Sequence, residues 1–318
     1  MGCVSSKSQV SSPSHHYQES VHSGRVSGGN DVSTHRVHTG LSGPKSSSLS
    51  YNEQCLIGVA RWPDNQYNQE HTASQMAYGQ SFWQASRDIG HEIANGDVST
   101  FDKLWDKARD WRVAASGGDD ETFGEHRHPT YNHTATTPLA NQYEYIKDRF
   151  SHRTDGELCE NNTEIPDWEF PLKENLNGEP LTLSTVVMSS NPHTNRYDDR
   201  YARLSHLEAG EPFYIRHTYS ADVEAIMEHV NGLYNKALDP HLPDSKFIKN
   251  LANIHWWAAN AMPDKRGSAA KAELCVRSIA QARGMDLPPL RQGVVADLEA
   301  MTTPRKEFVN NYMGMFER

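Results

Sequence analysis

The sharpest constraint on this 318-residue chain is a change of composition near residue 50. Residues 1–50 contain 15 serines, 6 glycines and 5 histidines, but only one aromatic residue, Tyr17, and two acidic residues. Such a segment cannot bury enough apolar surface to offset the conformational entropy that folding removes. We therefore predict a disordered, Ser-rich tether over 1–50 and a folded domain over 51–318.

Most of the folded part has the apolar spacing of α-helices. Apolar residues recur every three or four positions over 78–93, and Gly96 is a typical stop signal. Ser99 and Ser220 are the predicted N-caps of two further helices. Other helices are predicted over 247–258, near Ser268, near Asp297 and around 308–312.

One segment breaks this helical pattern. Asn177–Gly178 is a typical two-residue turn between antiparallel strands, and residues 181–187 alternate with the period of a strand. We therefore expect a mainly α (α+β) fold. It would be a helical bundle with an inserted small lobe, at about 155–205, that contains a β-hairpin.

Composition and motifs disfavour several classes of protein. The net charge of -10 disfavours nucleic-acid binding, which needs a basic face. The four cysteines are widely spaced, which predicts free thiols, and His126 and His128 are interpreted as loop residues, so we expect no metal site. No Walker A loop, GxGxxG or GxSxG motif is present, so a P-loop NTPase, a Rossmann oxidoreductase and an α/β-hydrolase are disfavoured.

The first eight residues, MGCVSSKS, match the N-myristoylation pattern M-G-x-x-x-[ST] through Gly2 and Ser6. One myristoyl chain binds a membrane only marginally, so stable anchoring needs a second signal, for which palmitoylation of Cys3 is the candidate. The alternative is that a Gly/Ser-rich start matches by chance. We expect lipidation at Gly2 and Cys3.

A second stretch, HWWAANAMPDKRGSAAKAE at 255–273, predicts a helix, a short turn and an Ala-rich helix. Gly267 allows close approach of the backbone to a ligand, and the first amides of the new helix lack partners within it. Arg266 adds a fixed charge and a fork of donors, with further positive potential from Lys265 and Lys271. Arg266, Gly267 and Ser268 thus predict a phosphate site, although an ordinary turn capped by Ser268 remains the alternative.

Three residues are weaker candidates by themselves. Asp297 precedes LEAM and is most simply a helix N-cap, while His217 lies just before a predicted helix and could line a cleft. Thr137 precedes a proline in TATTPL. None of the three forms a motif that assigns chemistry without a resemblance to known proteins.

Four stretches resemble the AvrB family of plant-pathogen type III effectors. They are MGCVSSKS, QCLIGVARWPD at 54–64, the 255–273 stretch and DLEAM at 297–301, with looser similarity over most of 51–318. The resemblance implies a Fido-type helical fold, nucleotide binding in a cleft between two lobes, and a monomer. It places cleft residues at Thr137, His217, Arg266 and Asp297.

The resemblance also implies a biological setting. Such effectors are injected into the plant cell, acylated by the host N-myristoyltransferase and held at the plasma membrane. There they act on a membrane-associated immune regulator. The implied activity is transfer of rhamnose from a nucleotide sugar, UDP- or dTDP-linked, to a host threonine, with no tightly bound cofactor.

The related Fic enzymes use a histidine to deprotonate the target hydroxyl, whereas Asn260 stands at the corresponding position here. An amide cannot take that proton, so Fic-type AMP transfer is disfavoured. We expect the loop at Arg266 to hold a diphosphate, with Asp297 as first choice of base and His217 as second. The alternatives are AMP transfer and a non-catalytic adaptor that grips a host peptide and recruits host kinases.

Overall fold

The computed structural model describes residues 39–117, 121–127, 135–159, 167–189 and 213–317. In these ranges helices dominate and one antiparallel sheet is present, which confirms the mainly α (α+β) prediction. The helices are α1 (Tyr51–Cys55), α2 (Ala73–Ala94), α3 (Phe101–Ala115), α4 (Tyr145–Ser151), α5 (Ser220–Ala237), α6 (Asp244–Ala261), α7 (Ser268–Ala282), α8 (Ala296–Thr302) and α9 (Arg305–Asn311). The strands are β1 (Thr136–Pro138), β2 (Glu157–Cys159), β3 (Asp167–Leu176), β4 (Glu179–Ser189) and β5 (Phe213–Arg216).

The helix α6 forms the centre of the helical body. It packs against α5, α7, α8 and α9, and its side chains from Leu251 onward are buried except at Asn253. The apolar stripes of α2, α5 and α6 face this core through Phe82, Ile226 and Phe247, which are all fully enclosed. The 3.6-residue period of the sequence therefore identified the buried faces correctly.

The N-caps of α3 and α5 differ from the prediction by one residue. Thr100, not Ser99, caps α3, because its hydroxyl accepts a hydrogen bond from the Lys103 amide at 3.3 Å. Tyr219 precedes α5, so Ser220 is the first helical residue and not the cap. Adjacent polar residues compete for a cap position, and the tertiary placement of the chain decides between them.

The sheet contains the predicted hairpin. Its strand order is β1–β5–β4–β3–β2, and every neighbouring pair is antiparallel. Asn177 and Gly178 join β3 to β4 with φ values of 55° and 95°, as the tight turn requires. Residues 160–166 and 190–205 of the predicted 155–205 lobe lie outside the described ranges, so the extent of the lobe stays a prediction.

One face of the sheet carries α8. Thr137 lies opposite Ile215, and Ile215 lies opposite Val186, so the three side chains point to the same face. Ile215 and Val186 belong to a buried cluster that also contains Leu298 of α8. This packing holds α8, which contains Asp297, against the face of the sheet to which Thr137 points.

Residues 39–50 correct the prediction of a disordered segment for their part of the chain. The Thr39 hydroxyl donates to the Ala94 carbonyl at the end of α2, at 2.6 Å, and the Gly43 amide donates to the Ala282 carbonyl at 2.9 Å. Leu41 and Leu49 pack against the core. The prediction of disorder was based on the Ser-rich composition, which does not reveal the contacts of Leu41 and Leu49 or the hydrogen bonds to carbonyls at helix ends.

Candidate functional site

The turn between α6 and α7 is built around a buried ion pair. The helix α6 ends because Met262 adopts a left-handed conformation and Pro263 cannot continue the hydrogen bonding. The next residue, Asp264, is fully buried, and its Oδ2 lies 2.5 Å from Lys271 Nζ. The Trp105 indole donates to the same oxygen at 3.0 Å.

Burial and the contact between Asp264 and Lys271 act in opposite directions on the pKa values of the two groups. Burial opposes ionisation of Asp264, but hydrogen bonds from His126 and Lys271 outweigh it and hold its pKa below the ordinary value. Burial lowers the pKa of Lys271, and Asp264 acts in the opposite direction. Lys271 also donates to the carbonyls of Phe123 and Arg266, at 2.5 and 3.2 Å. The lysine therefore fixes the loop from inside instead of facing a ligand.

Gly267 and Ser268 begin α7 in a way that leaves backbone donors available. Gly267 is the N-cap residue with φ +74°, and a Cβ there would lie 2.8 Å from the Phe123 ring. The Ser268 hydroxyl bonds back to Asp264, accepting from its amide and donating to its carbonyl at 3.1 Å each. Ser268 is therefore not the N-cap that the sequence suggested, and its side chain is occupied within the loop.

Arg266 is exposed at the tip of this turn. Its guanidinium carbon lies 4.6 Å from the centroid of the Phe123 ring. Lys265 pairs with Glu125, and the Lys265 amide donates to the Glu125 carbonyl at 3.0 Å. The turn thus presents Arg266 and the first amides of α7 on one short stretch, the combination that binds anions at helix N-termini.

The structure brings Thr137 and His217 into direct contact. Thr137 Oγ1 lies 2.8 Å from His217 Nε2, and the His217 amide donates to the Ala135 carbonyl at 2.9 Å. Burial, with a further contribution from Arg127, lowers the pKa of His217 to about 3. His217 is therefore a neutral imidazole at physiological pH, and its Nδ1 has no hydrogen-bond partner in the described part of the chain.

Arg127 links this pair to the loop, and sequence reasoning missed it. Its buried guanidinium donates to the carbonyls of Ala261, Met262 and Thr218, and its amide donates to the Pro263 carbonyl at 2.8 Å. Nothing in the sequence around Arg127 distinguishes it from an exposed loop arginine. Only the fold shows that it joins the end of α6 to the residue that follows His217.

Asn260, which the resemblance placed at the position of the Fic base, has a structural role. It is fully buried, and its Nδ2 donates to the carbonyls of Trp256 and Ala300 at 3.0 Å each. The Thr218 hydroxyl donates to the Asn260 carbonyl at 2.6 Å. Asn260 therefore ties α6 to α8 and to the segment after β5.

Asp297 is the second residue of α8, whose N-cap is Val295, so the prediction that Asp297 is the cap was wrong. Burial, with the neighbouring carboxylates Glu273 and Glu299, raises the pKa of Asp297 to about 6. No ion pair joins Asp297 to another residue in the described ranges. An ionised but weakly solvated carboxylate of this kind can accept a proton near neutral pH.

Three further predictions are limited by what the structure describes. Gly2 and Cys3 lie outside the described residues, so lipidation stays a prediction. Among the described residues no three His, Cys, Asp or Glu side chains are grouped to hold a metal ion. No helix in that part of the chain is long and apolar enough to cross a bilayer.

Comparison with known proteins gives a consistent result over the whole chain. The sequence model AvrB_AvrC, described as "Avirulence protein", matches residues 1–318. The chain is also 34% identical, over 333 aligned residues, to "Avirulence protein B" of Pseudomonas savastanoi pv. glycinea. That alignment covers 100% of this chain and 99% of the relative. The chain therefore belongs to the AvrB family of avirulence effectors.

Proposed function

We propose that this effector is a glycosyltransferase that moves a deoxyhexose such as rhamnose from a UDP- or dTDP-linked donor to a threonine of a host protein. The observation that carries the proposal is the turn at 262–268. There a buried ion pair fixes an exposed arginine and a left-handed glycine at the start of a 15-residue helix. This arrangement suits a diphosphate, the leaving group of such a reaction.

The reaction balances with groups of this chain. The bond between the anomeric carbon and the β-phosphate oxygen breaks, and the threonine hydroxyl oxygen forms the new bond to that carbon. Negative charge develops on the departing diphosphate, where Arg266 and the amides of Gly267 and Ser268 stabilise it. The threonine proton passes to Asp297.

Asp297 is a better base than His217 for this step. The pKa of Asp297, about 6, lies close to cellular pH, whereas the pKa of His217, about 3, makes its imidazole a weak proton acceptor. His217, which Thr137 holds through Nε2, instead suits the orientation of a hydroxyl group, because its Nδ1 has no hydrogen-bond partner among the described residues. Transfer should therefore lose rate as the pH falls through about 6.

Intact-mass spectrometry tests the proposal directly. Purified protein is mixed with the host target and a panel of nucleotide sugars, and the mass of the target is followed. A gain of one deoxyhexose with UDP- or dTDP-linked donors, abolished in the Asp297→Asn variant, is the expected result. An unchanged target mass with every donor, despite tight binding of the target, overturns the transferase.

A second candidate function is that of an adaptor, which grips a host peptide and recruits host kinases without chemistry. The contact between Thr137 and His217 favours it, because two of the polar cleft groups already satisfy each other. The β3–β4 hairpin would help to hold an extended peptide by strand addition, since in the described ranges β2 pairs only with residues 167–169 of β3. AMP transfer, the third alternative, would appear in the same experiment as a different mass.

The site of action that fits this function is the host plasma membrane. The N-terminal pattern at Gly2 and Cys3 supplies the two acylation signals that stable anchoring needs, and the host N-myristoyltransferase would supply the first. A membrane-associated immune regulator is the partner that this location favours. No bound cofactor or nucleic acid enters the proposal.

A further inference from the structure

Two arginines face one aromatic ring at the loop. Phe123 lies in a short 3-10 helix, and its carbonyl accepts from the buried Lys271 at 2.5 Å. The guanidinium carbons of Arg112 and Arg266 lie 3.9 and 4.6 Å from the centroid of that ring, so they are at most about 8.5 Å apart. Arg112 comes from the last turn of α3, remote in sequence from the loop.

Arg112 also contacts the loop backbone. A Cβ on Gly267 would lie 3.2 Å from Arg112 Cγ, so the stem of the arginine rests against the turn. A side chain at position 267 would therefore have to displace Arg112 slightly, in addition to adopting the unfavourable φ of +74°. The charged end of Arg112 is thereby fixed in position before any ligand arrives.

Among the described residues, no acidic side chain pairs with Arg112. In the described ranges, Arg109 pairs with Asp106 at 2.7 Å and Lys271 pairs with Asp264, whereas Arg112 makes no ion pair and no side-chain hydrogen bond. Its Nε is fully enclosed and has no acceptor. The enclosed Nε therefore costs free energy, and the positive charge of the half-buried guanidinium is left for an external anion to balance.

We propose that Arg112 and Arg266 form a clamp of two guanidinium groups, stacked on Phe123, that selects a diphosphate over a single phosphate. The inference rests on the proposed function and names the residue that makes the same site specific for nucleoside diphosphates. Each guanidinium offers a planar fork that binds phosphate oxygens in a bidentate manner. Two guanidinium groups stacked on one ring can bind the two linked phosphate groups of a diphosphate. A single phosphate can form a bidentate contact with only one of them.

Titration calorimetry on the full chain tests the clamp, with sodium pyrophosphate, sodium phosphate and UDP as probes. The key variant is Arg112→Gln, which keeps a stem against Gly267 but removes the charge. Arg112→Lys tests whether the fork matters beyond the charge. Arg87→Ala is the matched control, because Arg87 also stacks on a ring, 5.0 Å from Trp83, but is remote from the loop in sequence and contacts.

We expect the unmodified protein to bind pyrophosphate at least about tenfold more tightly than phosphate. Arg112→Gln should weaken pyrophosphate and UDP binding about tenfold or more, change phosphate binding less than about threefold, and leave the melting temperature unchanged. The affinity of Arg112→Lys for pyrophosphate should lie between those of the unmodified protein and of Arg112→Gln. Arg87→Ala should bind pyrophosphate as tightly as the unmodified protein does.

Other outcomes separate the inference from the function on which it rests. If Arg112→Gln binds pyrophosphate normally while Arg266→Ala does not, the clamp is wrong and the diphosphate loop stands. If Arg112→Gln weakens both anions equally, Arg112 contributes only general positive potential and the selectivity is wrong. If the unmodified protein binds neither pyrophosphate nor UDP, the diphosphate site and the clamp are both wrong.

Discussion

Burial, more than any charged neighbour, sets the protonation of Asp297 and His217. It raises the pKa of the carboxylate and lowers that of the imidazole, so both move towards the neutral form. At cellular pH the result is an ionised Asp297 and an uncharged His217. In the proposed reaction, this difference favours proton transfer to the carboxylate and an orienting role for the imidazole.

Replacing Asp297 should reveal that this carboxylate is held at a cost to stability. Its pKa is about 6 in the folded protein against an ordinary 3.8, so the folded state binds more protons between these values. Stability therefore falls as the pH rises through this window. Above about pH 6.5, the free energy of unfolding of Asp297→Asn should exceed that of the unmodified protein by roughly 1–3 kcal/mol. At about pH 4 the two free energies should be equal.

Urea denaturation at the two pH values measures this difference. Asp155→Asn is the control, because Asp155 is exposed and Arg153 holds its pKa below the ordinary value. At the higher pH, Asp155→Asn should be no more stable than the unmodified protein. A difference for Asp297→Asn that is the same at both pH values would contradict the assignment of a raised pKa to Asp297.

Breaking the buried pair at the loop should unfold the protein more easily than breaking an exposed one. Lys271→Met leaves Asp264 buried without its cation, which we expect to lower the free energy of unfolding by about 3–5 kcal/mol. The matched control is Lys265→Met, which breaks the exposed pair with Glu125 and should have an effect below about 1 kcal/mol. Equal losses in the two variants, by urea denaturation, would contradict the central role of Asp264 in the loop.

At the scale of elements, the link between α6 and α7 depends on one backbone conformation. Gly267 has φ +74° and lies against Phe123 and Arg112, so neither the conformation nor the space suits a side chain. The elements on both sides are long helices whose packing fixes the ends of the turn. The geometry of the proposed anion site therefore depends on the two helices together.

Gly267→Ala should lower both stability and anion binding. The strained φ and the 2.8 Å approach to Phe123 should reduce the free energy of unfolding by about 1–3 kcal/mol and weaken pyrophosphate binding. Gly232→Ala is the control, because Gly232 lies inside α5 with open space at its Cβ position, and alanine there should stabilise by up to about 1 kcal/mol. Thermal unfolding measures the stability of both variants, and calorimetry measures their pyrophosphate binding. If Gly267→Ala changed neither quantity, the turn would tolerate another conformation.

The types of the main helices and of the β3–β4 hairpin followed from the sequence, but the first residues of the helices did not. The turn at Asn177–Gly178 and the stop at Gly96 were confirmed because each needs a backbone conformation that few residues adopt, with φ of +95° at Gly178 and +81° at Gly96. The sequence did not determine the N-cap positions, because any Ser, Thr or Asp near the start of a helix can accept the capping hydrogen bond. Ser99, Ser220 and Asp297 were each predicted as caps, and none of them occupies that position.

For the whole molecule, location is expected to depend on residues 1–8 and not on the folded domain. The chain is acidic overall, at -10, which gives no attraction to an anionic membrane surface. Acylation at Gly2 and Cys3 therefore has to supply the membrane affinity. The described domain has no membrane-crossing helix that could replace it.

Gly2→Ala should move the protein from the membrane to the soluble fraction of plant cells without changing its chemistry. Alanine at position 2 removes the glycine amine that N-myristoyltransferase acylates, and palmitoylation at Cys3 alone gives weaker anchoring. Fractionation of plant tissue measures the location, and the target-mass experiment with purified protein measures the activity. Membrane retention of the variant equal to that of the unmodified protein would contradict the anchoring proposal.

The sequence by itself determined the main helices and their buried faces, the β3–β4 hairpin, the family and the loop at Arg266, because each depends on local spacing or on a contiguous motif. Only the tertiary structure decided which distant residues meet: Arg127 beside His217, Asp264 against Lys271 and Trp105, and Arg112 over the ring that Arg266 also faces. The reason is physical. Burial and apposition depend on how helices and strands pack, and they convert ordinary charged residues into a fixed, partly desolvated site.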